Sequence, residues 1–158
     1  MDSMAEIYIE RARNEIMAAE SLKKLSEEKT QKQAFRIPSN MTFYSSVISH
    51  SYYAIFYAAK SILLTKGIKT SAPEVHKKTY DEFERHLVKT GLLDVKLLEI
   101  YKEAVVKAND LLQIFKREKW KGGNFTYNTI PQANKIPADK SLKNAKFFAS
   151  NIIKVIER

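Results

Sequence analysis

The sequence predicts an all-α fold, an up-and-down bundle of four to five helices, on three observations. Apolar residues recur at three- and four-residue spacing over long stretches. Glycine and proline number four each, with no hairpin dipeptide between alternating runs, so a sandwich or barrel has no turns to build from. Connections between most of the periodic stretches are short, which favours antiparallel neighbours. At 158 residues the chain is expected to form one domain, 1–158, long enough to bury a core.

Ile9, Ala12, Ile16, Ala19 and Leu22 mark a first helix from Ser3 to Lys29. Arg36-Ile37-Pro38-Ser39-Asn40 then combines a breaker with good N-cap residues. A second helix follows over about 42–66 and stops at Gly67, a residue suited to a left-handed C-cap. Ser71-Ala72-Pro73-Glu74 reads as a capping box with proline in the first turn. It starts a third helix carrying Val75, Tyr80, Phe83 and Leu87 that ends at Thr90-Gly91.

Asp94 is placed to cap a fourth helix reaching about Lys119. Leu97, Tyr101, Ala104, Ala108, Leu111 and Phe115 form one seam on it, and Leu98, Val105 and Leu112 a second, so it should pack against more than one neighbour. Asp139 starts a fifth helix with Leu142, Ala145, Phe148, Ile152 and Val155 inward. The connection 121–138 is long for a helical domain, and such loops tend to be functional. Trp120, Phe125 and Tyr127 beside Arg117 and Lys119 suit base stacking and phosphate contact, but large aromatics beside a core more often pin a loop to the bundle.

The second helix carries the most information. It is apolar on nearly every side, yet Ser46, His50, Tyr53, Tyr57 and Lys60 fall within about 80° of one another on the wheel. Buried polar groups need partners, so other helices, a partner protein or a ligand must satisfy that stripe.

Composition restricts the chemistry. Without cysteine there is no disulfide framework, thiolate metal site or cysteine nucleophile, which fits a reducing cytoplasm. The start lacks signal-peptide character, and the most apolar stretch, 52–64, is too short to span a membrane. Against 18 acidic residues stand 27 basic ones, a net +9 that favours polyanionic partners or reflects a lysine-rich surface. Six of the 27 are arginine, which weakens a base-reading role.

His50, His76 and His86 have no metal-ligand spacing, so no metal or other cofactor is expected, and Gly122-Gly123 leads into no phosphate-loop Lys-Ser or Lys-Thr pair. The remaining constellation is His50, Tyr53, Tyr57, Lys60, His76, Arg117 and Tyr127. Metal-free RNA cleavage needs a base, an acid and a cation on phosphate, and these residue types supply them. Each has a structural alternative: His50 a histidine bonded to a neighbouring helix, His76 a surface residue, Arg117 a salt-bridged arginine. His76, in the first turns of its helix, should resist protonation.

Ser51-Tyr52-Tyr53-Ala54-Ile55-Phe56-Tyr57-Ala58-Ala59-Lys60, Leu63-Leu64, Lys66-Gly67-Ile68, then His76, Phe83 and Val88-Lys89-Thr90-Gly91 resemble the HEPN superfamily (higher eukaryotes and prokaryotes nucleotide-binding), in its small prokaryotic branch with a Tyr-Tyr-Ala helix. The resemblance implies a helical bundle that pairs as a homodimer around a cleft and binds RNA or nucleotides. Active members are metal-independent ribonucleases with an Arg-x(4–6)-His motif, many of them toxins paired with a nucleotidyltransferase antitoxin, while others are inactive interaction modules. Arg117 matches the motif arginine. The positions for the histidine hold Gly122, Gly123 and Asn124, so the motif is incomplete. Asn124 can hold a phosphate oxygen but cannot act as a base. If the chain does chemistry, His50 or His76 must supply the missing group, with Tyr53, Tyr57, Lys60, Lys119, Asn124 and Tyr127 binding.

Overall fold

The computed structural model describes the backbone of residues 2–120 and 135–158 and the side chains of 2–112 and 135–158. Among them are six α-helices and no strand: α1 Ser3–Glu27, α2 Lys29–Ala34, α3 Tyr44–Thr65, α4 Val75–Phe83 running into a π turn Glu84–Val88, α5 Val95–Trp120 and α6 Lys135–Ile156. The long helices α1, α3, α5 and α6 form the expected up-and-down bundle, and the short α4 is set against α3. Central α3 touches α1, α4, α5 and α6.

Small residues explain the pairing of α1 with α3. Ala5, Ala12, Ala19 and Ser26 recur every seven residues along α1 and all are buried; Val47, Ala54 and Ser61 do the same on α3. Short side chains on both faces let two helices approach closely. Hydroxyls fasten the two ends. Ser61 Oγ donates to the Ala5 carbonyl at 2.7 Å, and the Phe43 N–H donates to Ser26 Oγ at 2.7 Å. This second bond corrects the expected cap of α3: its start is satisfied by a residue of α1, not by Ser39 or Asn40. Buried Lys32 holds the connecting turn by donating to the carbonyls of Ser39 (2.9 Å) and Met41 (2.5 Å).

The core fills in along the bundle. At one end Ala19, Tyr44, Val47, Ile48, Leu111, Ala138 and Leu142 cluster. Further along, Phe83, Tyr101 and Phe148 meet with ring centroids 5.4–5.8 Å apart. Of the expected inward face of α6, Leu142, Ala145, Phe148 and Ile152 are buried and Val155 packs on the core partly buried. On α5 the first seam is buried at Leu97, Tyr101 and Leu111, whereas Leu112 of the second is 51% exposed. The Tyr101 hydroxyl is buried with no hydrogen-bond partner among the described residues.

Three boundaries differ from expectation. The first helix breaks after Glu27, and α2 follows at once. The capping box at Ser71–Glu74 does not form: α4 begins at Val75, with Glu74 in the left-handed region (φ 56°) and no side-chain cap. The segment is tied down elsewhere, since the Thr70 and Thr79 hydroxyls bond at 2.6 Å and Lys60 Nζ donates to the Thr70 carbonyl at 3.1 Å. Finally, α6 starts at Lys135, one turn before Asp139. There Lys135 pairs with Asp139 (2.7 Å) and with Glu27 (3.3 Å), and Glu27 also takes Lys23 (2.8 Å) and the Tyr44 hydroxyl (2.9 Å). Burial and the Glu27 carboxylate push the Tyr44 hydroxyl up to about 12. The cap of α5 is as expected, with Asp94 Oδ1 accepting from the Lys96 N–H at 2.7 Å.

Candidate functional site

Of residues 44–64, Ser46, Ser49, His50, Tyr53, Tyr57, Lys60 and Leu64 are the ones not buried. Up to Leu64 the polar stripe is therefore the line along which α3 reaches solvent. Part of it is satisfied by α1. His50 Nδ1 meets Glu15 Oε2 at 2.5 Å, the Tyr57 ring stacks on Tyr8 at 5.9 Å, and Lys60 Nζ lies 4.8 Å from the Tyr8 centroid. Arg11 covers both tyrosines, 5.5 Å from Tyr8 and 5.6 Å from Tyr57. Tyr8, Arg11 and Glu15 share a face at three- and four-residue spacing, a periodicity visible in the sequence but not used there.

On the other side of the stripe, α3, α4 and α5 enclose a cleft of about 650 Å³. Tyr52, Tyr53, His76 and Tyr80 form its aromatic walls, with apolar Val105, Ala108, Leu111 and Leu112 and polar Ser49, Lys77 and Asn109 completing it. A pocket of this size with few polar groups is the usual form of a small-ligand site. Adjacent Tyr52 and Tyr53 diverge because a helix turns 100° per residue. Tyr52 goes inward, 8% exposed, and Tyr53 outward, 39% exposed.

His76 is held on three sides. Its Nδ1 bonds the Tyr52 hydroxyl at 2.7 Å, its ring stacks on Phe56 with centroids 4.2 Å apart, and Tyr53 meets it edge-on at 5.9 Å. The residue as a whole remains solvent-exposed, so the imidazole is oriented yet reachable. Partial burial against these rings, and then the Lys60 charge, pull its pKa below the ordinary value. The expected resistance to protonation is present, with burial and a neighbouring cation as its causes. Tyr52, which wheel reasoning left off the stripe, is held protonated by burial and by neighbouring Tyr53.

The HEPN domain model matches residues 5–111. The chain belongs to the HEPN family. A curated protein of Methanocaldococcus jannaschii named "Putative toxin MJ0142" is 40% identical over 65 residues, 41% of this chain and 42% of that protein. The matched stretch thus spans less than half of that relative's length. No solved structure matches.

Within the HEPN match lie α1, α3, α4 and most of α5, so Tyr52, Tyr53, Tyr57, Lys60, His50 and His76 all belong to the domain. The structure brings His76, Tyr53, Tyr57 and Lys60 together through contiguous rings. It places His50 elsewhere, against Glu15 on the α1 side and off the cleft walls. Arg117 and Lys119 sit on the last turns of α5, beyond the match, and their side chains lie outside the described residues. Asn124, Tyr127 and the 121–134 part of the expected loop also lie outside them. His86 pairs with Glu82 at 2.9 Å, away from the cleft. Among the described residues no group of three or more His, Asp or Glu side chains is placed to hold a metal. No described helix is long and apolar enough to cross a membrane.

Proposed function

We propose that this HEPN domain is a toxin-type protein that binds RNA in the α3–α4–α5 cleft and cleaves it without a metal ion. The observation that carries the reading is His76: reachable at the cleft wall, neutral near pH 7, with Nδ1 held by Tyr52 at 2.7 Å. When Nδ1–H donates to the Tyr52 oxygen, Nε2 keeps its lone pair and can take the proton of a ribose 2′-hydroxyl. The 2′-oxygen then attacks phosphorus, and the 5′-oxygen leaves with a proton from a cleft-wall donor, the Tyr53 hydroxyl or the Lys77 ammonium. The products are a 2′,3′-cyclic phosphate and a 5′-hydroxyl. Arg117, at the end of the helix that forms one cleft wall, is the candidate for phosphate contact. The name of the archaeal relative supports the toxin reading.

The test is mixed RNA incubated in EDTA with wild type, His76→Ala, Tyr52→Phe and Arg117→Ala. Wild type should cleave and leave cyclic phosphate ends, and His76→Ala should lose about 100-fold or more. Cleavage unaffected by His76→Ala would remove that residue from the chemistry. A second reading is favoured by the absence of histidine at 122–124: binding without cleavage, as a module that partners a nucleotidyltransferase. RNA retention with no cleavage by any variant would select it. Both readings take the chain to be a cytoplasmic homodimer, and a monomeric mass by light scattering at tens of micromolar would refute the pairing.

A further inference from the structure

We infer that the α1–α3 face beside the cleft is a stacking track for a single nucleic-acid strand, built from Tyr8, Arg11, Tyr53, Tyr57 and Lys60. This rests on the reading that the chain binds RNA and adds to it a site outside the cleft. The rings follow one another without a gap: His76 to Tyr53 at 5.9 Å, Tyr53 to Tyr57 at 6.1 Å, Tyr57 to Tyr8 at 5.9 Å. They cross from the cleft wall, over the solvent line of α3, to α1. None of the three tyrosines is buried, and Tyr53 is 39% exposed.

Cations accompany the rings. The Arg11 guanidinium lies over both Tyr8 and Tyr57, and Lys60 Nζ lies over Tyr8 and, at 5.8 Å, Phe56. Tyr8 and Tyr57 stack on each other and are each partly exposed, and Tyr53 is open. Solvent-reachable rings beside positive charge are what an unpaired strand uses, bases stacking on rings while phosphates meet the cations. A duplex hides its base faces and would find only the charges. A mononucleotide would fill the cleft and leave the track empty. The ligand class that occupies both is a single strand several nucleotides long.

Fluorescence anisotropy with a labelled single-stranded RNA of about eight nucleotides, a dinucleotide and a duplex of the same sequence tests this. Wild type, Tyr8→Ala, Tyr8→Phe, Arg11→Ala and the surface control Lys143→Ala would be compared. Tyr8→Ala and Arg11→Ala should each weaken the longer strand about tenfold while leaving the dinucleotide unchanged. Tyr8→Phe, which keeps the ring, should bind like wild type, as should Lys143→Ala apart from a small general charge effect. Arg11 is exposed, so its variant keeps the test valid if Tyr8→Ala fails to fold. Equal binding of duplex and single strand, or track variants that match wild type, would overturn the track and leave the cleft reading intact. Failure of wild type to bind any RNA would overturn both. A change of mass on Arg11→Ala by light scattering would identify the face as a contact between two copies and overturn the proposal.

Discussion

Replacing Tyr52 by Phe removes one oxygen atom and tests the site at its centre. The ring stays and keeps its stacking on Phe56, 6.4 Å between centroids, and on His76, 5.7 Å. What goes is the 2.7 Å bond to His76 Nδ1. A net hydrogen bond is worth about 0.5–1.5 kcal/mol, and since His76 faces solvent its released nitrogen can turn to water. The loss should therefore fall near the lower end, about 0.5–1 kcal/mol, or a Tm drop of roughly 1–4 °C for a domain of this size. Tyr52→Ala also removes the buried ring and should cost about 3–5 kcal/mol. Urea unfolding gives both numbers, and nitrogen NMR shifts of the His76 ring report its tautomer. The Phe variant should leave stability nearly intact but mix the tautomers and depress RNA cleavage. A Phe variant with wild-type ring shifts would refute the claim that Tyr52 orients His76.

Acid should weaken the fold through His76. Its pKa is lower folded than unfolded, so the unfolded state binds more protons in between, and stability should fall as pH drops below about 6.5. His76→Gln should flatten that slope, and Lys60→Met should raise the His76 midpoint in an NMR titration. Tyr44 titrates in the opposite direction. Its raised pKa, about 12, means stability is lost as pH climbs from about 10 to 12, and Glu27→Gln should lower that midpoint in an ultraviolet tyrosinate titration. Tyr101→Phe removes a buried hydroxyl with no partner among the described residues and should raise the urea midpoint, by about 1–3 kcal/mol of stability. Ala12→Leu pushes a branched side chain into the α1–α3 seam, where Ala12 is fully buried, and should cost about 1–3 kcal/mol in the same assay.

Much of this was legible in the residues. Period and breakers were enough for the bundle, the cap at Asp94 and the inward face of α6. The solvent line of α3 coincides with the polar stripe because both follow from a 3.6-residue turn. The π turn after Phe83 and the left-handed Glu74 were not legible, since neither follows from helical period or cap residues, and the Thr70–Thr79 bond beside Glu74 joins two segments. The cap of α3 failed for the same reason, its acceptor being Ser26, 17 residues earlier. At the cleft wall, His76 was marked by residue type, whereas Tyr52, which bonds its Nδ1, was not. Polarity alone marked the outward residues, and a tyrosine whose ring is core and whose hydroxyl bonds a cleft-wall histidine belongs to both sets.

The seven-residue repeat of Ala5, Ala12, Ala19 and Ser26 has a consequence at the edge of the seam it forms. The distance between the two backbones fixes how far Tyr8 stands from Tyr57, because each ring is carried by a rigid helix held against the other through those alanines. The spacing of the outer rings is thus decided from inside, by residues no ligand touches. Larger side chains at Ala5 or Ala12 should part the rings and weaken the proposed strand binding before unfolding the protein, so a screen for RNA-binding defects should return buried alanines alongside the track tyrosines.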